Sequence, residues 1–405
     1  MARPAAGRQR SADLSSRAVE AFSKDFGGLP DMVVRAPGRV SLLGGHVDYN
    51  EGWVLPAAVD RSIWMAVRVR DDKRMSVHSE EMAELAVVDL DEPELQPVKQ
   101  RSGARQATWI DYPLGVAWAL QQLGDVPCGL DATVLSTVPR GAGMSSSAAL
   151  EVVFLLAWQT ALGSARSPIE LAAIGQRVEN EFLSVQSGIQ DQFASLCGKS
   201  NHALFLDCRT LSWKAIAVPD ECGVVVADSL VHRSLVDGGL NDRRQDCLDA
   251  LDALRGLGVD LRSLRDLRSH QLDEVEAGME LRLRSRARHV MEECARVRLG
   301  AELLEKAQTA DFGELMRLSH ESSRDLYEAS TPELDTLAET AWSSPGCYGA
   351  RLSGAGFGGC VVALTSKETM AELRKRLRRA FEDRFARSPR LFECALGDGA
   401  EVERL

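Results

Sequence analysis

Pro139-Arg140-Gly141-Ala142-Gly143-Met144-Ser145-Ser146-Ser147-Ala148-Ala149-Leu150 is the stretch on which the reading of this chain turns. Residues 130–138 before it alternate like a strand, and the apolar run after it has helical spacing. The join is therefore a strand, a tight turn and a helix start. Gly141 and Gly143 let the backbone turn sharply and present its amides. The three serines then fall on the first helical turn, where unpaired N–H groups and the positive end of the dipole attract an anion. Their hydroxyls can bond phosphate oxygens or complete the oxygen shell that Mg²⁺ prefers. A helix cap needs one serine, not three. The segment reads as a phosphate loop, with Gly141, Gly143, Ser145, Ser146 and Ser147 as its binding positions.

Two competing phosphate motifs fail on context. Gly198-Lys199-Ser200 resembles the end of a P-loop, but Phe193 stands where the first glycine belongs. Gly354-Ala355-Gly356-Phe357-Gly358-Gly359 has the spacing of a dinucleotide fingerprint, yet a Val-rich strand follows it instead of a helix. No catalytic-loop motif of a protein kinase follows it either.

Working outward, a helix is expected over residues 15–26. Strands follow over 32–36, 54–60, 63–70, 75–79 and 86–90, with a polar loop over 91–107. Helices are expected over 110–123, 168–183 and 189–196. After Gly198 come strands over 202–208, 213–218 and 223–229, then amphipathic helices from 240 to about 342. The tail reads strand 348–353, strand 359–365, helix 367–384 and strand 390–395. This is an α+β chain in two halves, 1–200 and 201–405.

The bulk numbers narrow the partners. With 48 Lys plus Arg against 59 Asp plus Glu, the net charge of −11 argues against nucleic acid or an anionic membrane surface. Any phosphate site must then be local. The 9 cysteines include no CxxC pair, and the first ten residues lack the apolar stretch of a secretory signal. A cytoplasmic chain with free thiols is expected. The 7 histidines are dispersed, which disfavours zinc.

Three separated segments then agree. Pro37-Gly38-Arg39-Val40-Ser41-Leu42-Leu43-Gly44-Gly45-His46-Val47-Asp48-Tyr49-Asn50 resembles the galactokinase signature. Residues 139–150 resemble the phosphate loop of the GHMP kinase superfamily. Arg351-Leu352-Ser353-Gly354-Ala355-Gly356-Phe357-Gly358-Gly359-Cys360 resembles the superfamily's third motif, which packs near that loop. Between them, Glu179 and Ser187-Gly188-Ile189-Gln190-Asp191-Gln192 resemble the segment carrying the metal ligand and the catalytic aspartate. The resemblance spans nearly the whole chain. It implies a two-domain GHMP kinase fold: an N-terminal domain like ribosomal protein S5, a ferredoxin-like C-terminal domain, and an active site in the cleft between them.

The resemblance also implies roles. Asp191 would accept the proton of the attacking hydroxyl. Arg39 would lower that hydroxyl's pKa and offset transition-state charge. Glu179 and Ser147 would hold Mg²⁺, and Trp109 would contact the adenine of ATP. His46, Asp48 and Gly188 match sugar-binding positions. Read without the family, Asp191 would be a helix cap, Arg39 a surface ion pair, Glu179 an exposed helix residue and Trp109 a partly buried aromatic.

Two positions depart from the family, and both concern the sugar. Gly45 stands where a glutamate usually touches the C6 hydroxyl, and Leu240 where a tyrosine usually contacts the ring. Asp111 replaces a more usual asparagine. The implied activity is ATP-dependent phosphorylation of the C1 hydroxyl of galactose or a close relative. Loss of a carboxylate beside C6 admits galacturonate or another C6-modified sugar as an alternative. A non-catalytic sugar sensor on the same fold is a further alternative, disfavoured by the intact Arg39, Asp191 and serine run. A non-sugar acceptor such as mevalonate is disfavoured by residues 46–49.

Overall fold

The computed structural model describes residues 5–91, 95–100, 107–231 and 239–405. The polar loop expected over 91–107 lies mostly outside them. The chain opens with α1 (Ala5–Phe26), longer than expected. Ala18 and Phe22, one turn apart, bury against Val33, Trp64, Ala66 and Leu135. Next come β1 (Met32–Leu43), β2 (Trp53–Val69), β3 (Arg74–Ser79) and β4 (Glu84–Asp89). β1 is buried along its whole length and continues through Pro37-Gly38 with a slip in its register against β2. The two strands expected over 54–60 and 63–70 are one long strand, β2.

α2 (Asp111–Gln122), β5 (Leu130–Ser136) and α3 (Ser146–Leu162) follow. Asp111 accepts from the Thr108 amide at 2.6 Å and so closes the turn that enters α2. α3 carries apolar residues around most of its circumference, which suits a helix packed among β1, β2, α2 and α5. α4 (Pro168–Arg177) starts on a Ser167/Glu170 capping box with proline in its first turn. α5 (Gln190–Cys197), β6 (His202–Asp207) and β7 (Trp213–Ala217) complete the first half.

β1 to β7 belong to one sheet, ordered β1-β2-β5-β3-β4, with β6 on the far end of β2 and β7 beside β6. Adjacent residues on these strands face opposite ways, as pleating requires. Trp64 and Ala66 meet α1, while Met65 and Val67 enter the main core. The boundary expected near residue 200 falls inside this sheet, because β6 needs the free end of β2 to pair with, Trp53 opposite Asp207.

The second half holds β8 (Cys222–Asp228), α6 (Gly239–Gly256), α7 (Ser269–Val275), α8 (Leu281–Glu305), α9 (Thr309–Asp325) and α10 (Pro332–Trp342). It continues with β9 (Cys347–Ser353), β10 (Cys360–Ser366), α11 (Met370–Phe385), β11 (Arg390–Cys394) and β12 (Glu401–Arg404). The second sheet is antiparallel with order β11-β8-β10-β9. Strand, helices, hairpin, helix, strand in that order is the split βαβ arrangement of ferredoxin-like domains, as expected. Val225, Ala227, Val361 and Ala363 face α10 and α11, and Val224, Val226, Val362 and Leu364 face the main core. β12 was not foreseen: it returns to the first sheet and pairs with β1, Met32 opposite Arg404. Both halves therefore share one core. Among the described residues no helix is long and apolar enough to cross a membrane.

Candidate active site

The phosphate loop lies between β5 and α3, where the sequence places it, and one cavity of about 190 Å³ opens onto it. Arg39, Gly141, Gly143, Ser145, Ser146 and Ser147 line one side. Glu179, Ser187, Asp191 and Leu240 line another, and Ser353 with the glycine-rich turn after it closes the third. Gly45, His46, Asp48 and Gly188 are not among the residues that line it. Trp109 stands apart, its indole N–H donating to Glu84 at 2.9 Å.

Arg39 is aimed by a slip of the β1–β2 register between Pro37 and Arg39. Its backbone N–H donates to Met144 O at 3.1 Å, fastening β1 to the phosphate loop. Its Nε and Nη2 donate to Asp191 Oδ1 and Oδ2, each at 2.6 Å, and Nη1 donates to Gly143 O at 2.7 Å. This is a bidentate, charge-assisted pair, with the Arg39 side chain only 5% exposed. Asp191 sits on the first turn of α5 but does not cap it. Its carboxylate turns to Arg39 and to Ser145 Oγ, 2.5 Å away.

Glu179 is not an exposed helix residue. α4 runs into a π-helical turn, Val178–Phe182, and this change of winding turns Glu179 inward. It accepts a hydrogen bond from Ser187 Oγ. Burial, reinforced by the facing Asp191 and opposed by the Ser187 bond, pushes its carboxyl up to about 7. Such a crowded oxygen donor beside serine hydroxyls fits a divalent cation. Among the described residues no group of three or more His, Cys, Asp or Glu could hold a metal by itself.

In the turn after β1, His46 Nε2 lies 2.9 Å from Ala355 O. A carbonyl only accepts, so Nε2 carries the hydrogen and Nδ1 accepts from Tyr49 Oη at 2.7 Å. Tyr49 in turn accepts from Tyr327 Oη at 2.8 Å, and Tyr327 meets Cys247 Sγ at 3.1 Å. Burial, then the neighbouring His289, push the His46 imidazole down to about 3. Burial, then the charge of Asp191, push Asp48 up to about 6.

Tyr327, Glu293 and His289, which motif reading missed, form a buried polar group behind this wall with Arg351 of the third motif. Glu293 Oε1 accepts from the amides of Gly44 at 2.8 Å and Gly45 at 3.3 Å, and from Ser319 Oγ at 2.6 Å. His289 Nε2 donates to Gly45 O at 3.1 Å. A signal existed: Arg286, His289 and Glu293 share the inward stripe of α8 with Val290 and Val297, polar residues set in an apolar face. A Cβ on Gly45 would strike Arg351 Nη2, so the space left by the missing side chain is filled by a guanidinium.

The third motif packs on the phosphate loop as expected. A Cβ on Gly143 would come within 3.0 Å of Ser353 O, and one on Gly354 within 3.4 Å of Gly143 O. Three family models match the chain: a galactokinase galactose-binding signature over residues 20–69, a GHMP kinase N-terminal domain over 111–199 and a GHMP kinase C-terminal domain over 301–383. A galactokinase of Roseiflexus sp. (strain RS-1) is 41% identical over 94% of this chain and 95% of its own. One of Streptococcus mutans is 35% identical over 95% and 97%. The crystal structure of Lactococcus lactis galactokinase complexed with galactose superposes with TM-score 0.89 at 31% identity, covering 96% of this chain and 99% of that one. A mevalonate kinase, at 20% identity and TM-score 0.59, shares the fold. With its two-domain GHMP kinase fold and these relatives, the chain belongs to the galactokinase family.

Proposed function

We propose that this chain transfers the γ-phosphoryl group of ATP to the C1 hydroxyl of galactose or a closely related hexose. The observation that carries the reading is the Arg39–Asp191 fork standing against the phosphate loop. The sugar hydroxyl loses its proton to Asp191 as its oxygen bonds the γ-phosphorus, the bond to the β,γ-bridging oxygen breaks, and ADP leaves. Arg39, pinned on three nitrogens, keeps Asp191 and the loop in one geometry and adds positive charge where the transition state spreads negative charge. The amides and hydroxyls of residues 145–147 receive phosphate oxygens at the start of α3. Glu179 and Ser147 would hold Mg²⁺, which supplies neutralisation of the polyphosphate charge. His46 and Asp48 orient the sugar from behind, and Trp109 is assigned to the adenine end.

The experiment is ADP release with Mg-ATP over a hexose panel, with Asp191→Asn as control. Sugar-dependent turnover that falls by roughly 10²–10⁴-fold in the control is the expected result. ATP binding without turnover on any sugar would overturn the kinase reading.

A further inference from the structure

Arg351 is a buried cation with an unmet fork. Its side chain is fully enclosed, and its Nη1 reaches Ser41 O and Oγ only at 3.4 Å. Nε and Nη2 have no hydrogen-bond partner among the described residues. That is the same edge with which Arg39 grips Asp191.

The neighbouring charges do not meet the need. Glu293 pairs with Arg296 at 2.8 Å and spends its other oxygen on Gly44, Gly45 and Ser319. Asp191 is taken by Arg39. His46 and His289, both pushed down by burial, to about 3 and about 4, are neutral. Arg351 is thus left one negative charge short, out of reach of water, where an unpaired charge is costly.

The position of the fork says where the missing charge comes from. Arg351 and Ser353 are two residues apart on β9, so they face the same way, about 6.6 Å apart. Ser353 and Gly354 line the catalytic cavity, and a Cβ on Gly354 would lie 3.9 Å from Arg39 Nη2. The guanidinium therefore stands on the face of β9 that Ser353 turns to the cavity, with Nη2 against Gly45, which has no side chain to intervene.

We propose that the Nε–Nη2 edge of Arg351 receives a carboxylate at C6 of the sugar, making a hexuronate the preferred acceptor. A carboxylate fills both N–H positions and cancels the charge. A C6 hydroxyl leaves the charge uncancelled. The inference rests on the sugar-kinase reading above and names the class of sugar within it.

The test compares kcat/KM for galacturonate and galactose with Mg-ATP. A preference of tenfold or more for the acid is expected, and an equal or greater value for galactose overturns the proposal while leaving the kinase reading intact. Gly45→Glu brings an internal carboxylate to Arg351, whose flexible end can yield. It should lower the ratio of kcat/KM for galacturonate to that for galactose at least tenfold; an unchanged ratio in a folded variant counts against the proposal. Should no hexose be phosphorylated, the kinase reading fails, and calorimetric titration of the two sugars still decides this one. Tighter binding of galacturonate supports it, and equal binding sinks it.

Discussion

Gly188 is pressed against the carboxyl group of Asp48, so closely that any Cβ at residue 188 would collide with it. The contact joins the turn before α5 to the turn after β1, and therefore links the segment carrying Asp191 to the segment proposed to hold the sugar. Gly188 makes room for Asp48 by lacking a side chain.

Gly188→Ala should accordingly displace Asp48. We expect the sugar KM to rise tenfold or more with the ATP KM nearly unchanged, measured by steady-state ADP release. An unchanged sugar KM would show that Asp48 does not orient the sugar.

Asp48→Asn tests the cost of that carboxyl. Its pKa lies at about 6, raised by burial and then by Asp191, against an ordinary 3.8. The folded state therefore binds more protons than the unfolded one between about pH 4 and 6, and stability falls as pH rises through that window. The penalty is complete above it and absent below it. Because the side chain retains some exposure, we expect the variant to gain only about 1–2 kcal/mol at pH 8 and nothing at pH 4. Urea unfolding at the two pH values reads this.

Gly143→Ala attacks the seam between the two halves. The residue has φ +68°, and its Cβ would meet Ser353 O. A loss of about 1–3 kcal/mol is expected from the backbone conformation alone, with a raised ATP KM from the displaced loop. Chemical denaturation and kinetics report the two effects separately.

Tyr327→Phe leaves the buried Tyr49 oxygen without its donor. The expected cost is about 1–3 kcal/mol of stability, with sugar KM affected more than kcat because His46 loses its fixed orientation. Since His46 titrates near 3, its ionisation should leave no inflection in kcat/KM above pH 5. An inflection there that vanishes in His46→Gln would refute the neutral assignment.

Much of the site was legible because it is built from local chemistry. Residues 139–150 hold a turn, a helix start and their anion donors within twelve positions, and no distant contact is needed to read them. Glu179 and Asp191 were less legible. Their helical positions alone suggested solvent or capping, and only the family pattern pointed inward. The π-helical turn that buries Glu179 leaves no periodic trace in a short segment.

By itself the sequence determined the α+β class, the order of elements and the phosphate loop, while the family resemblance pointed to Arg39 and Asp191. Tertiary structure decided what those residues face. It joined Arg39 to Asp191 across 152 positions, returned β12 to the first sheet, and set Arg351 behind Gly45. The physical reason is range: turn geometry, capping and amphipathic period act within a few residues, whereas the partner of a buried charge is chosen by packing between segments far apart in the chain. Read alone, Gly45 suggested room at the sugar's C6 end. In the folded chain that room holds a cation.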